Sequence, residues 1–178
     1  MRSDWMKKDS MAIVLACMVP ENALAMEVAL HTGLRIGDVL AVRTAALKKR
    51  MYVREAKTNK SRQVYLPDDL LRRLQENAGK VFVFEGRDPS KHRTRQAVWH
   101  DMHRVAKFLR PAGVVGRGQT VTPHSARKMY AVDVMEKTGD IKAVGRALNH
   151  DAKHPDVTLL YALADHISAK KKRGGAGG

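Results

Sequence analysis

The chain has 178 residues, which suits one compact domain whose hydrophobic core needs no disulfide or structural metal. It carries 33 Lys and Arg residues against 18 Asp and Glu, a formal net charge of +15. This excess indicates a polyanionic partner, most commonly nucleic acid, but it does not separate a DNA enzyme from a general nucleic-acid binder or a ribosome-associated protein. The single cysteine, Cys17, excludes an intramolecular disulfide and favours a reducing, intracellular setting.

The N-terminal segment allows two interpretations. Two lysines precede the apolar run 11–19, and the tripeptide 23–25 resembles a cleavage site, which together outline a secretory signal. The same residues fit an ordinary buried helix that is capped by Asp9 or Ser10 and stops near Pro20. We favour the helix, because the rest of the chain is basic and has no disulfide framework. No apolar run approaches the length of a membrane span, so we expect no membrane partner.

Apolar spacing, glycines and prolines predict a mostly helical chain. We expect helices over 11–18, 20–30, 37–43, 68–77, 93–109, 123–137, 141–148 and 157–168. Gly33 is expected to end the second helix, and Thr122 to cap the helix that opens with Pro123. The helix over 93–109 repeats apolar residues at the spacing of one buried stripe, namely Val98, Met102, Val105 and Leu109.

Two short β-favouring runs, 51–55 and 63–66, flank a polar turn and predict an antiparallel hairpin with a basic tip. The apolar stretch 81–84 fits either a short buried strand or an extended connector. The expected fold class is therefore mainly α with a small antiparallel β-sheet (α+β). We expect a single domain over residues 1–169 and a disordered, basic and glycine-rich tail over 170–178.

Four clusters of polar residues stand out along the chain. In chain order they contain Arg35, Lys57, His124 with Arg127, and His150 with Tyr161. The first follows the expected helix end in a Thr-Gly-Leu-Arg segment, and the second lies at the hairpin tip. The members of the third are three residues apart and share one helix face. In the fourth, the tyrosine comes eleven residues after the histidine of a Leu-Asn-His segment.

This ordered set resembles the signature of the tyrosine recombinase (integrase) family. That family has an arginine in a T-G-L-R segment, a lysine on a β-hairpin before a V-x-L-P-like strand, an H-x-x-R box, an L-G-H box and a nucleophilic tyrosine. The resemblance covers about residues 20–165. It implies the family's catalytic-domain fold and site-specific DNA cleavage and rejoining through a 3′-phosphotyrosyl intermediate, without metal, ATP or another cofactor. The implied catalytic residues are Arg35, Lys57, His124, Arg127, His150 and Tyr161.

The chemistry of the phosphodiester gives these residues their expected roles. Arg35 and Arg127 are expected to hold phosphate oxygens, because a guanidinium is a planar, permanently charged fork. A free tyrosine has a pKa of about 10, so nearby cations are needed to favour the Tyr161 phenolate. Lys57 is the expected donor of a proton to the departing 5′ oxygen, with Lys60 as its local rival.

The two histidines have supporting roles in the same scheme. His124 takes the tyrosine proton or positions the phosphate, and His150 donates to a non-bridging oxygen. Three other tyrosines are not expected to be the nucleophile, since Tyr52 and Tyr65 fall on strands and Tyr130 is expected in the core. The histidine spacings 100/103 and 150/154 lack a convincing set of further ligands, so we expect no metal site.

A further set of basic residues is expected to contact double-stranded DNA, although a solvated face is the alternative for any one of them. The set comprises Lys60, Arg62, Arg93, Arg95, His100, Arg104 and Lys107. The resemblance also implies a homo-oligomer on DNA, a tetramer, that assembles from protomers that are monomers in solution. The setting implied is a prokaryotic, phage or mobile-element one, in the cytoplasm or otherwise inside a cell.

The chain departs from the family pattern at three points. Asn149 replaces the glycine of L-G-H, the segment 151–155 lengthens the interval before Tyr161, and the usual N-terminal helical domain is not recognisable. Asparagine tolerates a left-handed backbone better than most residues, so the turn at 149 is expected to survive. Three other functions remain: a non-catalytic DNA-binding relative, a type IB topoisomerase-like relaxing enzyme and, last, a basic RNA-binding module.

Overall fold

A computed structural model describes residues 3–149, which contain seven α-helices and one two-stranded antiparallel sheet. The elements are α1 (Lys8–Ala16), α2 (Pro20–Thr32), α3 (Ile36–Leu40), β1 (Arg50–Arg54), β2 (Ser61–Tyr65), α4 (Asp68–Asn77), α5 (Arg95–Leu109), α6 (Pro123–Thr138) and α7 (Ile141–Ala147). The predicted fold class is confirmed. The predicted helix 157–168 and the predicted disordered tail 170–178 lie outside the described residues.

Helix α2 is the central element, and α1, α3, α4, α5 and α6 all pack against it. A helix that is apolar around its circumference must be covered on all sides. In α2 the residues from Asn22 to Met26 are all buried, as are Val28 and Ala29. Pro20 stands in its first turn and Gly33 ends it in the left-handed conformation, with φ at 65°. The loop that leaves this central helix is therefore fixed relative to most of the domain.

The hairpin forms in the predicted place, with Arg50 opposite Tyr65 and Arg54 opposite Ser61. Strand residues alternate between the two faces of a sheet. Met51, Val53 and Val64 face the core, whereas the rings of Tyr52 and Tyr65 are exposed. The stretch 81–84 is an extended connector that makes only an isolated bridge between Arg43 and Phe82, although Val83 and Phe84 are buried.

The N-terminal residues form a helix that packs against α2 and α5, in agreement with the preferred interpretation. Helix α1 begins at Lys8, its N-cap is Lys7, and no side chain caps it, so the predicted capping by Asp9 or Ser10 is wrong. Ahead of α1, the backbone N–H of Asp4 donates to Thr120 O at 2.7 Å. None of the helices in the described part is long and apolar enough to cross a membrane.

Helix α3 is shorter than predicted, spanning Ile36–Leu40 rather than 37–43. The chain leaves the helix early because Val42 O accepts a hydrogen bond from Val83 N at 3.0 Å, which draws this residue into extended pairing. Val39, Leu40 and Val42 are buried, and the predicted buried stripe of α5 is confirmed. Helices α4, α6 and α7 form within one residue of their predicted ends.

Helix α5 is fastened to the start of α2 through Asp101, whose side chain is only 6% exposed. Its Oδ2 accepts hydrogen bonds from Val19 N and Asn22 Nδ2, both at 2.8 Å, and its Oδ1 from Arg104 Nη2 at 2.6 Å. Burial acts to raise the pKa of Asp101, but the hydrogen bonds from Asn22, Arg104 and Val19 outweigh it, and the pKa lies below its ordinary value. The carboxylate therefore stabilises the fold while it is ionised.

Replacement of Asp101 by alanine is expected to lower the free energy of unfolding at pH 7 by about 2 kcal/mol, because buried donors lose their acceptor. The folded-state pKa is depressed, so this stabilisation is complete above the unfolded-state value of about 3.8. It disappears as the pH falls through the lower folded-state pKa. Urea unfolding of Asp101→Ala and the parent at several pH values measures the difference. Exposed Asp69→Ala is the control, and an equal loss there would contradict the assignment.

Candidate active site

Four of the six predicted catalytic residues fall within the described part of the chain. Arg35 follows α2, Lys57 lies in the hairpin turn, and His124 and Arg127 lie in the first two turns of α6. His150 and Tyr161 lie outside the described residues. The described structure nevertheless includes Leu148 and Asn149, which lead directly to His150.

Arg127 connects two of the predicted clusters. Its side chain is buried, its Nη1 donates to Gly33 O, and its Nη2 donates to Leu148 O at 2.8 Å. One guanidinium thus joins the turn before Arg35 to the segment before His150. These bonds use two of the five N–H groups of a guanidinium.

Helix α6 holds Arg127 in place through a well-formed N-terminus. Thr122 accepts from the backbone N–H of His124, and the Ser125 side chain bonds back to Thr122 N at 3.2 Å, which makes a capping box. Pro123 occupies the first turn, as predicted. The helix start therefore sets the positions of both members of the H-x-x-R pair.

Position 33 requires a glycine, both because of its backbone conformation and because of the side chains around it. Its φ of +65° is one that side chains disfavour, and a Cβ there would lie 2.3 Å from Tyr130 Cδ1 and 3.0 Å from Leu148 Cδ2. Tyr130 is partly buried and packs with the small cluster of Ala131, Val132, Val144 and Leu148. The turn that presents Arg35 is thus pressed against α6 and the end of α7.

Glu55 forms the electrostatic centre of the site, and its side chain is fully buried. Oε2 accepts a hydrogen bond from Arg35 Nη1, and Oε1 lies 3.1 Å from Arg62 Nε in an ion pair that lacks hydrogen-bond alignment. A buried carboxylate is tolerated when it is paired with cations. Glu55 therefore balances part of the charge of two neighbouring arginines.

Arg62 is directed into the protein. It donates to Thr32 O at 2.8 Å and to Ala147 O, and its side chain is 11% exposed. Burial lowers the pKa of Arg62, and the nearby Glu55 carboxylate opposes that shift. Arg62 was predicted to contact DNA, but these contacts assign its guanidinium to the joint between α2, the hairpin and α7.

The hairpin turn places Lys57 next to this cluster in sequence, and Lys57 itself is exposed. Glu55 N donates to Lys60 O at 2.9 Å, and Asn59 N donates to Glu55 O at 2.8 Å. Asn59 adopts a left-handed conformation, with φ at 56°. These backbone hydrogen bonds hold the main chain of the short turn. The side-chain amine is therefore the part of Lys57 that can move.

His124 is exposed and lines a cleft of about 260 Å³ between α3, α5 and α6. The other lining residues are Ile36, Arg95, Gln96, Trp99, Thr122 and Pro123. Ile36 follows Arg35 directly, so the cleft borders two of the predicted catalytic segments. Its rim carries the cation Arg95, and its walls include the apolar surfaces of Trp99 and Pro123.

The residues predicted to contact DNA divide into two groups. Lys60, Arg95, His100, Arg104 and Lys107 are exposed, and four of these lie on α5. Arg104 is also bonded to Asp101, and Arg93 is half-buried with its Nε donating to Asn22 Oδ1 at 2.6 Å. Arg93 and Arg62 thus make internal contacts that their sequence positions did not reveal.

Asn149 has the left-handed backbone that the sequence predicts, with φ at 54°. The turn formed by glycine in the family pattern is therefore retained here by asparagine. Within residues 3–149, no group of three or more His, Cys, Asp or Glu side chains is placed to hold a metal ion.

The arrangement described above, with an arginine turn, a lysine hairpin and an H-x-x-R helix joined by buried hydrogen bonds, agrees with the sequence comparisons. The model of the phage integrase family matches residues 4–164 of the chain. The chain belongs to the phage integrase family. The match begins ahead of α1, whereas the motifs alone placed the recognisable region at about residues 20–165.

Similar members of the family come from bacteria, an archaeon and a phage. The probable integrase/recombinase YoeC of Bacillus subtilis is 25% identical over 143 residues, covering 79% of this chain and 76% of the relative. A tyrosine recombinase of Thermosipho africanus is 27% identical, covering 95% of this chain and 61% of the relative. The chain spans about half the length of other relatives, such as the integrase of Escherichia phage P2, of which 48% is covered.

Solved structures of the family share the fold. A lambda integrase dimer bound to a COC′ core site aligns with a TM-score of 0.72 at 20% identity, covering 91% of this chain and 48% of that one. The XerH recombinase bound to a palindromic difH substrate aligns with a TM-score of 0.71 at 16% identity, covering 99% of this chain and 53% of that one.

The sequence interpretation missed Glu55 and the internal role of Arg62. A signal for Glu55 was present, because Met51, Val53 and Glu55 alternate on the same face of the hairpin and the first two are apolar. A carboxylate at a core-facing position predicts a buried cation partner. No local pattern identifies Arg62 as that partner, since its other contacts lie on segments distant in sequence.

Gly33→Ala is expected to destabilise the domain by about 3 kcal/mol, because left-handed strain adds to a contact with Tyr130. Gly139→Ala is the matched control: Gly139 also ends a helix at φ 64°, but nothing lies within 4 Å of an added Cβ. The control is expected to cost only about 1 kcal/mol, from left-handed strain alone. Equal losses in urea unfolding would show that packing against Tyr130 does not matter.

Proposed function

We propose that this chain is the catalytic part of a tyrosine recombinase, which cleaves and rejoins DNA strands at specific sites through a 3′-phosphotyrosyl intermediate. The observation that supports the proposal is the pair of hydrogen bonds from Arg127, which connect the Arg35 turn to the segment before His150. Segments distant in sequence are thereby gathered around one position, as a reaction at a single phosphate requires. Family membership supports the same reaction.

The proposed chemistry begins with the phosphate. Arg35 and Arg127 contribute cationic donors that stabilise the charge growing on the non-bridging oxygens in the transition state. Arg127 reaches this position while bonded to two carbonyls, which restrict its motion. His124, at the start of α6, positions the phosphate or accepts the tyrosine proton.

Tyr161 is the proposed nucleophile, and His150 the proposed donor to a non-bridging oxygen. The phenolate oxygen forms a bond to phosphorus, and the bond from phosphorus to the 5′ oxygen breaks. Lys57 gives its proton to that leaving oxygen, so a free 5′-hydroxyl and a 3′-phosphotyrosyl ester result. Because the phosphotyrosyl ester retains the energy of the broken phosphodiester bond, attack by a second 5′-hydroxyl can rejoin the strand with no cofactor.

Double-stranded DNA is the proposed substrate, and the exposed cations of α5 are the proposed contacts to its phosphates. The lambda integrase structures similar to this chain include a dimer on a core site and a tetramer on a Holliday junction. We propose a comparable assembly on DNA, formed from protomers that are monomeric in solution. Residues 1–169 act as one catalytic domain in this proposal, within an intracellular prokaryotic, phage or mobile-element setting.

The parent protein is expected to form a denaturation-resistant adduct with a nicked suicide duplex in metal-free buffer, and Tyr161→Phe is expected to abolish it. Tyr52→Phe, which alters an exposed strand tyrosine, is the control and is expected to retain the adduct. Gel electrophoresis under denaturing conditions measures the adduct. DNA binding without any adduct would favour a non-catalytic DNA-binding relative, and supercoil relaxation without site preference a topoisomerase-like enzyme.

Arg95→Ala is expected to weaken DNA binding and to reduce the slope of log K against log salt by about 0.9, the value for one lost phosphate contact. Arg95 is exposed at the first position of α5 and on the rim of the His124 cleft. Arg72→Ala is the control, because Arg72 is an exposed cation on α4 that pairs with Glu76. Fluorescence anisotropy across a salt series measures both slopes, and an unchanged slope for Arg95→Ala would place this end of α5 away from DNA.

A further inference from the structure

Glu55 contacts both an arginine and the turn that carries a lysine, although the proposed reaction assigns it no step. Its fully buried carboxylate accepts from Arg35 Nη1. Its backbone N–H and C=O are bonded across the hairpin turn, at 2.9 Å and 2.8 Å, and the turn contains Lys57. One residue thus holds Arg35 with its side chain and the Lys57 turn with its main chain.

A second hydrogen bond strengthens the connection between the Arg35 segment and the hairpin turn. Asp38, three residues after Arg35, accepts a hydrogen bond at its Oδ1 from Ala56 N at 2.9 Å. Residues 35–38 and 55–56 are therefore joined by two partly buried hydrogen bonds, directly ahead of Lys57. A joint with two separated contacts resists rotation as well as translation, which a single bond cannot do.

The contacts in the cluster leave Arg35 able to take another anion. The carboxylates of Glu55 and Asp38 balance the charges of Arg35 and Arg62, but the carboxylate of Glu55 bonds only to Nη1 of the Arg35 guanidinium. Arg62 also donates to two backbone carbonyls. Among the described residues, no hydrogen bond or ion pair involves Nη2 or Nε of Arg35, whose side chain is 18% exposed. The edge of a guanidinium with two parallel N–H groups is the part that holds a phosphate.

We propose that Glu55 is a positioning residue, which holds the Arg35 guanidinium and the Lys57 turn at a fixed separation before DNA binds. The inference rests on the proposed strand cleavage. Arg35 binds a non-bridging oxygen while Lys57 protonates the leaving 5′ oxygen of the same phosphate, so their separation must match the dimensions of one phosphodiester. Donors fixed in advance need no reorganisation during the reaction. Glu55 itself touches neither the phosphate nor the proton.

Glu55→Asp keeps the charge but shortens the side chain by one methylene, so it withdraws the carboxylate from Arg35. Single-turnover cleavage of a nicked suicide duplex is expected to slow by about 10- to 100-fold, since small misplacements of a reacting group cost rates of this order. DNA affinity in the same buffer is expected to change by less than about threefold, because the net charge is unaltered. A parent-like cleavage rate for Glu55→Asp would overturn the proposal.

Glu27→Gln is the matched control, because Glu27 makes an ion pair with Arg73 at 2.7 Å between α2 and α4, away from the cluster. It is expected to leave cleavage unchanged. A comparable loss of cleavage in the control would show that ion-pair removal acts through the fold, which would overturn the proposal. Thermal melting of each variant shows whether it folds. If the uncharged variant Glu55→Gln does not fold, Glu55→Asp alone tests the proposal.

A double-mutant cycle with Arg35→Ala separates positioning from a general structural effect. If Glu55 acts through Arg35, Glu55→Asp has little further effect on cleavage once Arg35 is absent. If Glu55→Asp slows the Arg35→Ala protein by the same factor as the parent, Glu55 does not act through Arg35 and the proposal fails.

Nuclear magnetic resonance of the arginine Nε–Hε groups tests the same contact without a cleavage step. The Arg35 signal is expected to show restricted motion in the parent and fast motion in Glu55→Asp. Equal motion in both proteins would overturn the positioning role even if the parent forms the covalent adduct. A third outcome separates the two proposals. If Arg35 motion is restricted in the parent and fast in Glu55→Asp, but the parent forms no adduct, the result would support the contact between Glu55 and Arg35 and refute the proposed cleavage function.

Discussion

The hydrogen bonds from Arg127 to Gly33 O and Leu148 O are the constraint on which the candidate site depends. Both carbonyls belong to residues that have just left a helix, so each lacks an intrahelical donor. A buried carbonyl without a donor is costly, and a buried guanidinium needs acceptors. The Arg127 guanidinium and the two carbonyls therefore satisfy each other's hydrogen-bonding needs. This pairing requires α2, α6 and α7 to meet at one point.

The central helix transmits this constraint to the rest of the domain. Because α2 is covered on nearly all sides, the direction of the chain at Gly33 is set by the whole core. Gly33 lies against Tyr130 of α6, so a shift of either helix would disturb the turn that presents Arg35. The hairpin joins the same point through Glu55 and Asp38. Stability and the geometry of the site are therefore linked rather than independent.

The sequence predicted the elements well because each has a local signal. Pro20 and Gly33 bound α2, Thr122 and Pro123 open α6, and the stripe of α5 follows the helical repeat. The same local signals, with the family resemblance, placed Arg35, Lys57, His124 and Arg127. The predicted roles of these residues stay predictions, as do those of His150 and Tyr161 outside the described part.

What the sequence did not predict depends on contacts between distant segments. The capping of α1 was misassigned because a polar residue within a helix and one before it have the same local appearance. The early end of α3 follows from pairing between Val42 and Val83, which no local pattern encodes. Arg62 was placed on the DNA-contacting surface because basic residues at a hairpin are usually exposed, whereas its partners are Glu55, just after β1, and carbonyls of α2 and α7.

The carbonyls that receive Arg62 and Arg127 have an electrostatic consequence for the site. Thr32 and Gly33 end α2, and Ala147 and Leu148 end α7, so both helices direct their carboxyl-terminal ends at the arginines. The aligned peptide dipoles give each such end a partial negative charge of about half an electron. Three guanidinium groups can therefore remain close together in the free protein, because the helix ends add to the negative charge of the two carboxylates, those of Glu55 and Asp38, that are buried beside them. The helix ends act as fixed counterions that cannot diffuse away, so this part of the cationic cluster is insensitive to the mobile ions of the solution.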